Sequence, residues 1–210
     1  MLPAQGTPVV DEGSFTISIG GRPAGRENFR ISTVTRGTEV DHVARADVAY
    51  GDRKITPELR TDSRGTALEY SVTRAGDAPQ SWRGVIVRGR LSATLSTPRG
   101  PAAREFIVPN GSVIMDDDLF HQLFFVALRT KSGRVPVIVP HRNDQFQVTV
   151  STVGDETVQV GTRELAATHL QVDQPSGATT DVWVDSAGRI LRVAVPSRRL
   201  VAVRDDPPRG

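Results

Sequence analysis

Residues 13–35 read GSFTISIGGRPAGRENFRISTVT, and the fold is decided by how this stretch alternates. Phe15, Ile17 and Ile19 alternate with Ser14, Thr16 and Ser18, a period of two that puts the apolar set on one face of a strand. Gly20-Gly21-Arg22-Pro23 supplies a turn, and residues 27–35 alternate again through Phe29, Ile31 and Thr33. Two such runs around a glycine turn make an antiparallel hairpin. The same grammar recurs at residues 38–50, 67–73, 82–87, 91–96 and 104–108. Beyond residue 133 it returns at 135–139, 146–153, 157–160, 164–172, 179–184, 190–195 and 200–204. About a dozen strands joined by Gly, Asp, Pro and Ser turns predict an antiparallel sandwich or barrel.

One stretch departs from this grammar. Residues 112–130 read SVIMDDDLFHQLFFVALRT and hold three of the seven phenylalanines. Phe120, Leu123, Phe124, Ala127 and Leu128 fall at helical spacing, and Asp116, Asp117 and Asp118 stand where carboxylates favour a helix dipole. The spacing predicts a single helix over 116–129, with an apolar arc widened by Phe125 and Val126. Such a helix is expected to pack across a sheet or to plug a barrel mouth.

The 210 residues suit one domain with a sizeable core. Residues 1–12 read as a tether, 13–204 as the domain and 205–210 as a disordered tail. Charged residues make up 24%, hydrophobic residues 38%, and the net charge is +2, a soluble balance with no electrostatic pull toward nucleic acid. The absence of cysteine excludes disulfides, thiolate metal sites and cysteine nucleophiles. Lys54 and Lys131 are the only lysines, so arginine carries nearly all the positive charge, through genome bias or through selection for guanidinium recognition of anions. No run approaches the ~18 apolar residues of a membrane span, and Met1-Leu2-Pro3-Ala4-Gln5-Gly6 lacks the pattern of a signal peptide. The expectation is either a cytosolic protein or an exported one without its leader.

Chemistry is thinly marked. None of His42, His121, His141 and His169 sits at metal-ligand spacing. On a helix, Asp117 and Asp118 would share a face with His121 and suit a hard cation or an oriented imidazole; a solvated helix start is the alternative. Nucleophile-elbow serine, phosphate-loop and paired-histidine motifs are missing. Trp82, Trp183, Tyr50 and Tyr70 lie in strand patterns and suit either a sugar or lipid platform or the core.

Three stretches together carry a family resemblance. GSFTISIGGRPAGRENFRI at 13–31 resembles the first hairpin of a set of exported bacterial proteins of unknown function. PNGSVIMDDDLFHQLFFVAL at 109–128 resembles the one helix those proteins place after their first run of strands. DVWVDSAGRILRVAVPSRRLVAVRD at 181–205 resembles their last hairpin. Those proteins are similar in turn to the lipoprotein carriers and mycobacterial lipid carriers.

The resemblance implies a mainly β fold, a single strongly curved antiparallel half-barrel with one apolar helix on its concave face; a β-sandwich is the alternative. It implies non-enzymatic binding or transport of a lipid or other hydrophobic ligand in the bacterial envelope. Phe120, Leu123, Phe124 and Leu128 would form the helix lid, and Phe15, Ile17, Phe29, Ile31, Trp82, Phe106 and Trp183 the cavity walls. Burying an acyl chain contributes roughly 0.8 kcal/mol per methylene, enough to hold one without specific polar contacts. No cofactor or metal is implied. The expected protein is a periplasmic or envelope monomer with a possible envelope partner; a cytoplasmic location is the alternative. Several carriers use more than one helix where this sequence offers one, and a structural or interaction module with a fully packed core and no ligand is the competing reading.

Overall fold

The computed structural model describes residues 7–209, so the first half of the expected tether and the final glycine lie outside the described residues. The alternation at 13–35 produces its predicted hairpin: β1 (Val9–Ile19) pairs antiparallel with β2 (Arg22–Arg36). Its two-residue turn holds Gly20 and Gly21 at φ +58° and +77°, the left-handed conformations that such a hairpin turn requires and glycine adopts without strain. Residues Val9 to Glu12, assigned to the tether by sequence, are part of β1.

The chain continues as a meander through β3 (Glu39–Tyr50), β4 (Arg53–Asp62), β5 (Ala67–Ala75), β6 (Gln80–Val87), β7 (Arg90–Thr97) and β8 (Gly100–Ile107). A central segment follows, carrying the two-residue β9 (Val113–Ile114) and the helix α1 (Leu123–Arg129). A second meander then runs through β10 (Gly133–Val139), β11 (Asp144–Val160), β12 (Arg163–Asp173), β13 (Thr179–Val184), β14 (Ile190–Val195) and β15 (Leu200–Arg204). β15 pairs with β1, which joins the two meanders into one open sheet of 15 strands with β8 and β9 at its edges. Every pairing is antiparallel except that of β9 with β10.

Strand β4 was not visible as a strand in the sequence because RKITPELRTD is charged and contains Pro57. Ile55, Pro57, Leu59 and Thr61 nevertheless alternate as its buried face. A proline lacks the N–H that a ladder needs. Here the β3–β4 register runs from Asp41↔Asp62 to Arg45↔Glu58 and resumes at Val48↔Ile55, so Pro57 falls where the pairing lapses. The runs at 146–153 and 157–160 are one strand, β11, with an irregularity between Thr152 and Gly154.

The inward face of the sheet forms one buried cluster that includes Phe15, Ile17, Phe29, Ile31, Trp82 and residues of the second meander such as Val137, Val182 and Ile190. Asp11 and Arg204 stand in phase with this apolar set and pair across β1 and β15. The Arg204 guanidinium donates from Nη1 and Nη2 to the two Asp11 carboxylate oxygens at 2.9 and 2.8 Å, with both side chains almost fully buried. Gly13 leaves the room for that arginine, because a Cβ there would lie 2.9 Å from Arg204 Nη2. The head of the segment expected to be disordered is also tied down: Asp205 accepts from Thr16 Oγ1 at 2.6 Å and pairs with Arg26 at 2.7 Å.

The helix is shorter than its sequence pattern predicts. It spans seven residues instead of 116–129, and the three aspartates lie before it in non-helical backbone, with Asp118 at φ +67°. The carboxylates are drawn to arginines on different elements, described below, and this outcompetes a helical first turn. Leu123 through Ala127 are buried, Phe124 meeting Phe125 edge-on at 5.3 Å between ring centres and His42 at 6.4 Å. Leu128, expected in the lid, is 41% exposed and lies outside the lining of the cavity described below, because a two-turn helix buried over Leu123–Ala127 leaves its last residues at the rim.

Phe124→Ala is therefore expected to destabilise the fold by about 3–5 kcal/mol, whereas Leu128→Ala should cost less than about 1 kcal/mol. Urea unfolding of both variants measures the difference.

Candidate functional site

A segment laid on an apolar sheet face needs partners for its backbone N–H groups. Glu27 supplies them. It stands in phase with Phe29 and Ile31 on β2 and is fully buried. Its Oε2 accepts the Phe120 N–H at 2.8 Å; its Oε1 accepts the His121 N–H at 2.8 Å and lies 2.6 Å from His121 Nδ1, which donates the third bond. The His121 ring stacks on Phe29 at 6.2 Å.

Asp116 is the second anchor. Its Oδ2 accepts from Tyr70 Oη and Arg74 Nη2, each at 3.0 Å, and its Oδ1 accepts the His141 N–H at 2.8 Å. Its own N–H donates to Gln122 Oε1 at 2.8 Å. Tyr70 and Arg74 both point inward from β5 in phase with Val72. Burial, reinforced by the Asp116 charge, pushes the Tyr70 phenol well above its ordinary range, so it remains a donor. Among the described residues, His121 Nε2 and Arg74 Nε are buried without a protein hydrogen-bond partner. Each such group costs about 1–3 kcal/mol.

Asp117 and Asp118 go elsewhere. Asp118 accepts from Arg198 Nη2 at 2.7 Å and from Arg53 Nη2 at 2.8 Å, while Asp117 lies 3.3 Å from Arg142 Nε. The expectation that Asp117, Asp118 and His121 share a helix face is corrected: His121 turns into the core and the two aspartates turn out to arginines. Among the described residues no group of three or more histidines and carboxylates is arranged to hold a metal ion.

Against this segment lies a cavity of about 210 Å³. Met115, Leu119, Phe120 and Leu123 form one wall, and Ala178, Thr180 and Val195 the facing one. Its rim carries Asp117, Asp118, Arg142, Gln174, Ser176, Ser197 and Arg198. A larger cleft of about 430 Å³ is lined by Asp52, Arg53, Arg74, Asp77, Gln80 and His141 among others.

Of the residues expected to form walls and lid, Phe120 and Leu123 line the cavity of about 210 Å³. Phe15, Ile17, Phe29, Ile31 and Phe124 belong to the buried cluster but not to the cavity walls, and Phe106 packs partly buried against that cluster. Trp82 borders a separate niche of about 50 Å³ with Val72 and Leu95. Trp183 is corrected: Val182 and Val184 on β13 face the main cluster, so alternation sends Trp183 to the opposite face. There it stacks on His169 at 4.3 Å under Arg192 at 4.7 Å and donates to Glu156 at 2.8 Å. Sequence reading missed Glu27 and Arg74, although a charge in phase with an apolar strand face was the available signal.

No family model, curated protein or solved structure matches the chain.

The two rim aspartates titrate in opposite senses. Burial raises the Asp117 carboxyl above 3.8 against the pull of Arg142, so Asp117 subtracts stability as pH rises from 3.8 through its raised value. For Asp118, Arg198 and Arg53 outweigh burial and hold it below 3.8, so its contribution is present above 3.8 and lost as pH falls through the lowered value. At pH 7 (about three units above the ordinary carboxylate value), Asp117→Asn is expected to leave stability equal or higher. Asp118→Asn should lower it by about 2 kcal/mol, since asparagine tolerates the left-handed backbone and only the charged bonds are lost. Thermal unfolding of the two variants across pH checks the opposed signs.

Proposed function

We propose that this protein binds the alkyl chain of a hydrophobic ligand and catalyses no reaction on it, and that its sheet curls as a half-barrel around the central segment. The observation that carries the reading is the cavity of about 210 Å³ beside residues 115–123, where Met115, Leu119, Phe120, Leu123, Ala178 and Val195 supply apolar surface beneath a charged rim. A cavity of ~150 Å³ is enough to hold benzene, so this one receives part of an alkyl chain. Each buried methylene contributes about 0.8 kcal/mol. Met115, Leu119, Phe120 and Leu123 would meet the chain, and Glu27 and Asp116 would set the position of the cover.

The sequence resemblance to exported carriers supports a place in the periplasm or envelope and delivery of the ligand to an envelope partner. A second reading, a packed interaction module without a ligand, is favoured by the sealing of Phe15, Ile17, Phe29 and Ile31 in the main cluster, away from the cavity.

Isothermal titration of the lipid-extracted protein with 1-decanol separates the two. Saturable binding that is lost in Val195→Phe, a variant that fills the cavity, is the expected result. No binding by the native protein, or binding unaffected by Val195→Phe, contradicts the reading.

A further inference from the structure

The cavity is flanked by a repeated turn. Val139-Pro140-His141-Arg142-Asn143 joins β10 to β11, and Val195-Pro196-Ser197-Arg198-Arg199 joins β14 to β15. The two have the same backbone. The valines stand at φ −116°, ψ 87° and φ −120°, ψ 89°, and the prolines each open a 3₁₀ turn. Asn143 and Arg199 close it at φ 54° and 48°, donating their N–H to Pro140 and Pro196 O at 3.1 and 2.9 Å.

Repetition places one arginine from each turn, Arg142 and Arg198, at the rim of the same cavity. Both side chains reach solvent there, 39% and 46% exposed. Each touches its aspartate through a single nitrogen, Arg142 through Nε at 3.3 Å and Arg198 through Nη2 at 2.7 Å. A guanidinium has five N–H donors and is suited to bidentate recognition of carboxylate or phosphate. Most of their N–H donors are uncommitted: Arg142 otherwise lies 3.5 Å from Gln174 Oε1 and over the Phe146 ring at 5.5 Å. At the rim these two guanidiniums stand beside the two carboxylates of Asp117 and Asp118; Arg53, which lines the other cleft, adds a second guanidinium on Asp118, and Asp116 is occupied by Arg74. The uncommitted donors of Arg142 and Arg198 thus stand at the rim of the same cavity that Met115, Leu119 and Leu123 line.

We propose that Arg142 and Arg198 receive a single anionic headgroup, carboxylate or phosphate, of an amphiphile whose alkyl chain enters the cavity. This rests on the alkyl-chain reading and adds the ligand's charge to it. The ligand lies with its head between the two turns and its first methylenes against Met115, Leu119 and Leu123. Asp117 and Asp118 hold the two guanidiniums in place in the unliganded protein and yield part of that contact to the incoming anion.

Titration calorimetry with sodium decanoate, decyl phosphate and 1-decanol tests this on the native protein and on the double variant Arg142→Gln/Arg198→Gln. At least one of the two anions is expected to bind tenfold or more tightly than decanol. The double variant should lose that preference while binding decanol as before. Asp117→Asn, which releases Arg142 without removing it, should increase the preference, and it keeps the test decisive if the double variant fails to fold. An anion that binds no more tightly than decanol, or a preference that survives in the double variant, overturns the headgroup assignment alone. Failure of all three compounds to bind overturns the alkyl-chain reading beneath it.

Discussion

One buried carboxylate holds the centre of this molecule. Glu27 projects from β2 into an otherwise apolar face and takes the N–H groups of Phe120 and His121 together with the His121 ring. Without an acceptor there, the backbone entering α1 would leave polar groups unpaired in the core, and the aromatic side chains it carries could not be seated on the sheet. Asp116 serves the start of the same segment through Tyr70, Arg74 and His141. The apolar cover is thus attached to the sheet at polar points, and the cavity lies beside that attachment.

The same device joins the two halves of the sheet. Asp11 and Arg204, charged and in phase with apolar neighbours, form a two-point ion pair at the β1–β15 junction that unites the two meanders. Breaking such a buried pair from one side leaves an uncompensated charge, which is why paired charges can specify a register that interchangeable apolar side chains would not. Burial still raises the Asp11 carboxyl despite Arg204, so the pair secures the junction at a cost in desolvation.

Period-two alternation made nearly all of the strands legible from sequence, and the Gly20-Gly21 turn was readable for the same reason. Strand β4 was hidden by Pro57 and its charges, which are tolerated because the ladder to β3 lapses at that point. The helix was overread, since helical spacing from Phe120 onward was extended back through three aspartates. Asp118 instead takes a left-handed backbone between Arg53 and Arg198, contacts from β4 and from the turn before β15 that no local pattern announces. Trp183 was misplaced because Val-Trp-Val is apolar at every position and does not reveal which residue faces inward. For the site, Phe120 and Leu123 were readable as apolar helix residues, whereas Glu27 and Arg74 were not singled out. Their signal was a charge at an inward position, which becomes meaningful only once the inward phase is known. The paired Val-Pro-x-Arg turns were not singled out in the sequence, where no internal repeat stood out, and their convergence on one cavity depends on the sheet order.

These features form one account, in which polar anchors position an apolar segment, the segment forms one wall of a cavity, and two like turns place charge at its rim. The most direct test is an isotope-filtered NOE experiment on methyl-labelled protein saturated with 1-decanol. The account predicts contacts from the chain protons to the methyl groups of Met115, Leu119 and Leu123. Contacts confined to the exposed Val87 and Ile107 of the outer strands, or none at all, would contradict it.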